Sequence, residues 1–331
     1  MIEKTIQYID GLLKKAKYET LVFDTHDKFC FDLLVKKDNS ILLIKLFSNI
    51  DNLNKNTIEG IKTLSSLLKS KPVLIGFKNR YQKLDENTIY VREDLPFISV
   101  KTFENMLKFN SYPYILARRG GGVIYLDGNL MKTLREQKNI SRKDIAIELG
   151  VTKRTVCAYE NESMRPSESI AKKIKHILEN ESFFKKINFI EWNIKINIEE
   201  LDKFEKDDLD PFETHLQGII EDIGIESFWY KKGQVPFSLS LFSRGDNIEG
   251  DHQYFPLMSG LSEQKRKIDQ YSFQFLQTIS QLLKKHAVFI VDNEYKISDK
   301  LQQIIPVIKV KSLEEIDNES ELVELVKGKE Q

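Results

Sequence analysis

The chain has 331 residues, 41% hydrophobic and 30% charged, enough for two or three packed domains. Fifty basic residues balance fifty acidic ones, so the chain as a whole is no polycation and any affinity for nucleic acid must be local. The two cysteines, Cys30 and Cys157, lie far apart and the five histidines are scattered, which excludes a disulfide framework and offers no metal-ligand spacing; no cofactor is expected. No apolar run is long enough to span a bilayer, and the N-terminal MIEKTIQYID lacks the apolar stretch of a secretion signal. The expectation is a soluble, reduced, cytoplasmic protein.

Residues 1–17 predict an amphipathic helix with Ile2, Ile6, Ile9, Leu12 and Leu13 on one side. Strands follow at Thr20–Asp24, Phe29–Lys36 and Ser40–Phe47, the last two joined by a turn at Asp38-Asn39. Thr57–Lys69 is helical, and Pro72–Phe77 is a short apolar run of the kind buried on both faces of a sheet. Thr88–Val91 and Phe97–Val100 are strands, and Thr102–Leu107 begins a helix. A sheet flanked by helices over residues 1–116 is the economical architecture. Residues 117–129 read as a linker. In it, Ala117 to Gly122 (ARRGGG) form a flexible basic hinge, followed by a small strand at Val123–Leu126 and a turn at Asp127-Gly128.

Four short helices then fill residues 130–181. Leu130, Leu134 and Ile140 carry the apolar positions of the first and its exit; Ser141 caps a second with Ile145, Ala146 and Leu149 on one face. Gly150 ends that helix where a left-handed backbone is wanted. Thr152 caps a third with Val156 and Tyr159 inward, and Pro166-Ser167 opens a fourth carrying Ile170, Ala171, Ile174 and Ile177. Two short helices joined by a tight turn inside such a cluster make a helix-turn-helix.

The matches at Leu134-Arg135, Ile145-Ala146, Leu149 to Thr152, Val156, Tyr159 to Asn161 and Arg165 to Ser167 give this stretch of about fifty residues a close resemblance to the Cro/lambda-repressor type of helix-turn-helix. Small Ala146 lets the helices cross closely, and Glu160 is expected to brace the unit by pairing with Arg135. Two residues depart from the family: Arg142 stands where glutamine is usual, and Glu162, where glycine is usual, adds negative charge near the phosphate path. The resemblance implies that the third helix enters the major groove of double-stranded DNA. Thr152, Lys153, Arg154 and Ala158 are then the base readers. Lys153 and Arg154 suit guanine O6/N7, and the Thr152 methyl or Ala158 suits a thymine methyl. Arg142, Thr155 and Asn161 are placed for phosphates, which fix position without reading sequence. Residues 130–180 hold eleven Lys/Arg against seven Asp/Glu, a net of +4 in a neutral chain. The arginines of the 117–122 hinge either touch the DNA backbone or belong to an ordinary linker.

Beyond the helix-turn-helix the first domain recurs over residues 182–331. Lys62–Gly76 aligns without a gap with Gln277–Val291, and Pro96–Glu104 with Pro306–Glu314; Leu46-Phe47-Ser48 aligns with Leu241-Phe242-Ser243, and Gly11 to Leu13 with Gly218 to Ile220. The closing segment Ser312–Gln331 is acidic with an apolar stripe at Leu322, Leu325 and Val326, and predicts one helix. Helix, strand, hairpin, helix, strand resembles the restriction-endonuclease-like fold, which also houses Holliday-junction resolvases. Those enzymes hold Mg²⁺ with an Asp on one strand and a Glu-x-Lys on the next. Here Asp32 and Lys45 match, but Leu43 stands at the glutamate position. In the second copy Lys45 corresponds to Ser240, and Asp32 has no counterpart. Both copies therefore read as catalytically dead, with Asp32 and Lys45 as a cross-strand ion pair. The cluster Asp246, Glu249, Asp251 and His252 reads as a solvated loop rather than a metal site.

The fold expectation is thus multi-domain α/β, with a central all-α reader between two related restriction-endonuclease-like α/β domains. The whole resembles archaeal helix-turn-helix transcriptional regulators. This implies a non-enzymatic, sequence-specific DNA-binding regulator acting as a homodimer on a pseudo-palindrome, with surfaces for the transcription machinery or another protein. A nuclease of the resolvase-like fold and a non-DNA-binding adaptor are the alternatives, as is pairing of the two α/β copies within one chain.

Overall fold

The computed structural model describes residues 2–23, 29–192, 209–230, 235–243, 255, 257–262, 270–283, 286–296 and 305–329. The first α/β unit begins with α1 (Ile2–Lys15), whose Ile6, Ile9, Leu12 and Leu13 are buried as the 3.6-residue spacing requires. Its strands are β1 (Glu19–Val22), β2 (Leu33–Lys37), β3 (Ser40–Asn49), β4 (Lys71–Lys78), β5 (Thr88–Arg92) and β6 (Leu95–Ser99), with α2 (Lys55–Leu67) before β4 and α3 (Val100–Phe109) after β6. They join β7 (Ile115–Arg118) and β8 (Gly121–Ile124) in one eight-stranded sheet of order β1-β2-β3-β4-β6-β5-β7-β8. β1–β2–β3 is antiparallel, and β3, β4 and β6 run parallel.

Side chains alternate along β3 and split the core in two. Leu42, Ile44 and Leu46 pack with α1 and α3, while Leu43 and Phe47 pack with Ile58, Ile61 and Leu64 of α2. Cover on both faces explains why β3 and β4 read as continuous apolar runs. The 117–122 stretch is the turn of the β7–β8 hairpin rather than a hinge, with Gly120 at φ +87° and Gly121 at φ +125°. The hairpin is held because Thr88 and Ile89 of β5 pair with Ile115 and Leu116. That long-range partner is invisible to a local composition argument.

The second unit comprises α8 (Pro211–Ile223), β9 (Glu226–Trp229), β10 (Leu239–Phe242), β11 (Leu257–Ser262), α9 (Gln270–Leu283), β12 (Ala287–Val291), β13 (Val307–Lys309), α10 (Val310–Glu314) and the closing α11 (Glu319–Lys329). In α11, Leu322, Val323 and Val326 are buried. Its sheet order, β13-β12-β11-β10-β9, with β9–β10–β11 antiparallel and β11–β12–β13 parallel, repeats the connectivity of β1, β2, β3, β4 and β6. Three of the four sequence matches fall on equivalent elements. The fourth does not: Leu46–Ser48 lies on β3, whereas Leu241-Phe242 lies on β10, the counterpart of β2. A Leu-Phe-Ser triplet is too short to fix register.

The two units pair within the chain. Phe23 and Phe31 of the first meet Phe275 of the second, with ring centroids 4.6 and 6.1 Å apart, and Lys36 Nζ donates to the Leu282 carbonyl at 3.1 Å. A single apolar cluster contains Leu34, Leu43 and Phe97 together with Tyr230, Phe237, Met258 and Phe289.

Candidate nucleic-acid interface

The reader consists of α4 (Gly128–Gln137), α5 (Arg142–Leu149), α6 (Lys153–Glu160) and α7 (Glu168–Leu178). Each boundary has a local cause. Asp127 caps α4, and Ser141 caps α5 in a reciprocal box, its Oγ accepting from the Asp144 N–H while Asp144 accepts from the Ser141 N–H. Gly150 takes φ +69° in the turn, and Thr152 Oγ1 accepts from the Thr155 N–H to start α6. Met131, Ile145, Ala146, Leu149, Val156, Tyr159, Ala171 and Ile174 form the core.

The brace between Glu160 and Arg135 is present and has a second arm. Glu160 Oε1 accepts from Arg135 Nε at 2.6 Å and Oε2 from Arg142 Nε at 2.7 Å, with the Glu160 side chain 0% exposed. A buried carboxylate flanked by two guanidiniums is neutralised where a lone one would be costly. Arg142, expected at a phosphate, thus commits its Nε to the brace. Gly128 is required by contact, since a Cβ there would lie 2.0 Å from the Glu160 carbonyl oxygen. Glu162 takes φ +59°; its carboxylate accepts from the Gly128 N–H at 3.1 Å and pairs with Lys185. Lys185 and the Gly128 N–H hold the Glu162 carboxyl below its ordinary range, and the charge that looked adverse to phosphate is compensated. Lys185 lies 23 residues downstream of Glu162, so no local pattern announced it.

Of the expected readers, Thr152, Lys153 and Arg154 are exposed at the N-terminus of α6, and Ala158 is half-buried one turn on. Thr155 is half-buried with its hydroxyl bonded to that of Thr152 at 2.9 Å, and exposed Asn161 donates to Cys157 Sγ. The reader is fastened to the large sheet: Val123 bridges Ser167, Leu126 bridges Phe184, and the Ile124 N–H donates to the Pro166 carbonyl.

The nuclease-like positions are in opposite circumstances. Asp32 is 0% exposed; Oδ1 accepts from Lys45 Nζ at 2.9 Å and Oδ2 from the Leu46 N–H at 2.7 Å. Leu43 is fully buried beside them, and burial pushes the neighbouring Cys30 thiol up to about 12. The strand register corrects the second-copy assignment. Lys45 pairs with Leu74, and the alignment that places Leu74 on Phe289 places Lys45 on Gly260, the partner of Phe289. By the same register Leu43 falls on Met258 and Asp32 on Ser238, so Ser240 is not the counterpart of Lys45. Among the described residues no group of His, Cys, Asp or Glu could hold a metal ion, and no helix is long and apolar enough to cross a membrane. The cluster Asp246, Glu249, Asp251 and His252 lies outside the described residues.

Residues 2–113 match the PD-(D/E)XK superfamily domain, and residues 131–180 match a helix-turn-helix family. The chain is 32% identical over 325 residues to a "Putative HTH-type transcriptional regulatory protein" of Methanobrevibacter smithii, covering 98% of this chain and 96% of that one. The chain belongs to this regulator family. Family members of the same name in Methanothermobacter thermautotrophicus and Archaeoglobus fulgidus are each 28% identical, over 98% and 99% of this chain and 96% and 99% of theirs. No solved structure gives a significant match. This chain therefore joins a helix-turn-helix to a nuclease-like α/β unit.

Proposed function

We propose that the chain is a sequence-specific DNA-binding transcriptional regulator, working in the cytoplasm without enzymatic activity, that reads the major groove with α6. The observation that carries this is the exposure of Thr152, Lys153 and Arg154 at the start of a capped helix whose other end is anchored by Glu160. In this reading Lys153 and Arg154 meet guanine edges, while Thr152 and Ala158 meet thymine methyls. Thr155, Asn161 and the outer nitrogens of Arg142 meet phosphates. Replacing Lys153 or Arg154 by alanine is expected to cost about 1–3 kcal/mol each at a selected site. A double variant that binds like wild type would instead favour an adaptor.

Pairing of the two α/β units within one chain supports one reader per chain. A pseudo-palindrome with half-sites about one helical turn apart then calls for two chains. Light scattering on the DNA complex should return two chains per duplex; one would defeat the homodimer. The remaining faces are left for the transcription machinery or another protein.

The PD-(D/E)XK match favours a second reading, a nuclease. Against it stand the leucine at position 43 and the enclosure of Asp32 and Lys45. Among the described residues a hard divalent ion would find one carboxylate there, already holding Lys45 and the Leu46 N–H. Incubation with junction and duplex DNA in Mg²⁺ or Mn²⁺ decides the matter: no cleavage is expected, and cleavage abolished by Lys45→Ala would reverse this reading.

A further inference from the structure

We propose that the cleft where the first α/β unit meets the reader is a second nucleic-acid contact, gripping the sugar–phosphate backbone of duplex that flanks the site read by α6. The inference rests on the DNA-binding reading above. The cleft encloses about 1140 Å³, with Thr88 and Tyr90 of β5 and Ile115 of β7 among its lining residues. The stretch after β4 contributes Arg80 and Tyr81, the latter 87% exposed; the β7–β8 turn contributes Arg118 and Arg119.

Charge decides what such a cleft accepts. Each of its carboxylates is already engaged. Asp51 accepts from Arg92 Nε at 2.7 Å and from the Arg80 N–H at 2.7 Å. Burial raises the Asp51 carboxyl, but these two donors outweigh it and hold the group below its ordinary range. Asp85 accepts from the Tyr90 hydroxyl and from Gln82, and Glu168 pairs with Lys172 at 2.6 Å. The guanidiniums of Arg80, Arg118 and Arg119 are exposed and form no salt bridge among the described residues. The lining carries four arginines against three carboxylates, a net of +1, and three of the arginines stand in no direct ion pair. Its volume exceeds the roughly 300–1,000 Å³ usual for a small-molecule site, and arginines and amides share its walls with apolar groups. A polyanion fits the size of the cleft and its exposed arginines.

Position names the polyanion. Glu168 lines the cleft and is the first residue of α7, only seven residues beyond Asn161 at the end of the reading helix. The bridge from Val123 to Ser167 and the hydrogen bond from Ile124 to Pro166 fix the arginine hairpin to that same entry of α7. B-form DNA carries about one negative charge per 1.7 Å of axis, so duplex continuing past the half-site supplies phosphates to any cation held beside the reader.

The experiment uses the full chain and a site recovered by selection from random duplex, prepared with about two or about ten flanking base pairs. Wild type is expected to bind the long duplex more tightly, with a steeper fall of log K against log salt. Arg118→Ala/Arg119→Ala should leave the short duplex unaffected and make the long-duplex slope shallower by about two, one for each phosphate lost. An unchanged slope on the long duplex overturns this inference alone. Equal losses on both duplexes also overturn it, by placing the arginines at the reader's own contacts. A wild-type chain that binds neither duplex overturns both this inference and the regulator reading.

Discussion

Asp32–Lys45 and Lys153–Arg154 are both pairs of charged residues, yet the fold treats them oppositely. The first is enclosed between two α/β units, every carboxylate oxygen of Asp32 accepting a hydrogen bond from the protein. The second stands at an exposed helix start with no acidic partner in salt-bridge range among the described residues. A charge whose hydrogen bonds are all met inside the protein serves stability, whereas a cation left in solvent is available to an outside polyanion. Location in the packing, more than residue type, separates the two roles.

The sharpest way to break this comparison is to remove one partner of the enclosed pair. Asp32→Ala removes the carboxylate 2.9 Å from Lys45 Nζ and the acceptor of the Leu46 N–H, and should cost about 3–5 kcal/mol in urea unfolding. A loss under about 1 kcal/mol in that variant would mean that water reaches the site. Phe275→Ala, at the seam between the units, should cost about 3–5 kcal/mol and divide a single unfolding transition into two. Gly128→Ala forces a Cβ against the Glu160 carbonyl; about 1–3 kcal/mol should be lost, seen as faster hydrogen exchange in α4 and α6. The smallest effect belongs to the exposed pair. Lys153→Ala/Arg154→Ala should shift unfolding by no more than about 0.5 kcal/mol while weakening DNA binding. Thiol titration gives a further contrast: half-buried Cys157 should react in the folded protein, and Cys30 only after unfolding.

The reader was legible in the sequence because its signals are local. Ser141, Gly150 and Thr152 each set a boundary within three or four residues of themselves, and Ile145, Leu149 and Val156 show the core-facing side. The Glu160–Arg135 brace came from the family pattern, but the share taken by Arg142 did not, since it depends on how α5 and α6 cross. The 117–122 stretch misled because three consecutive glycines look like slack until β5 is known to lie alongside. Alignment of the two α/β units succeeded where a helix and the following strand moved together, as in Lys62–Gly76. It failed at a three-residue match, and with it went the assignment of Ser240. Enclosure of Asp32 was not legible, because the second unit, whose Phe275 meets the neighbouring Phe31, lies more than 240 positions away and chain-distant faces leave no periodic trace.

The cover over Asp32 is covalently tethered to what it covers. A lid supplied by a separate subunit would come off on dilution, exposing the interior once the concentration fell below the dissociation constant. Here the effective concentration of the lid is set by the polypeptide itself and is independent of how many molecules are present. Enclosure at that position is therefore built in, and equally complete for a single copy per cell as in concentrated solution.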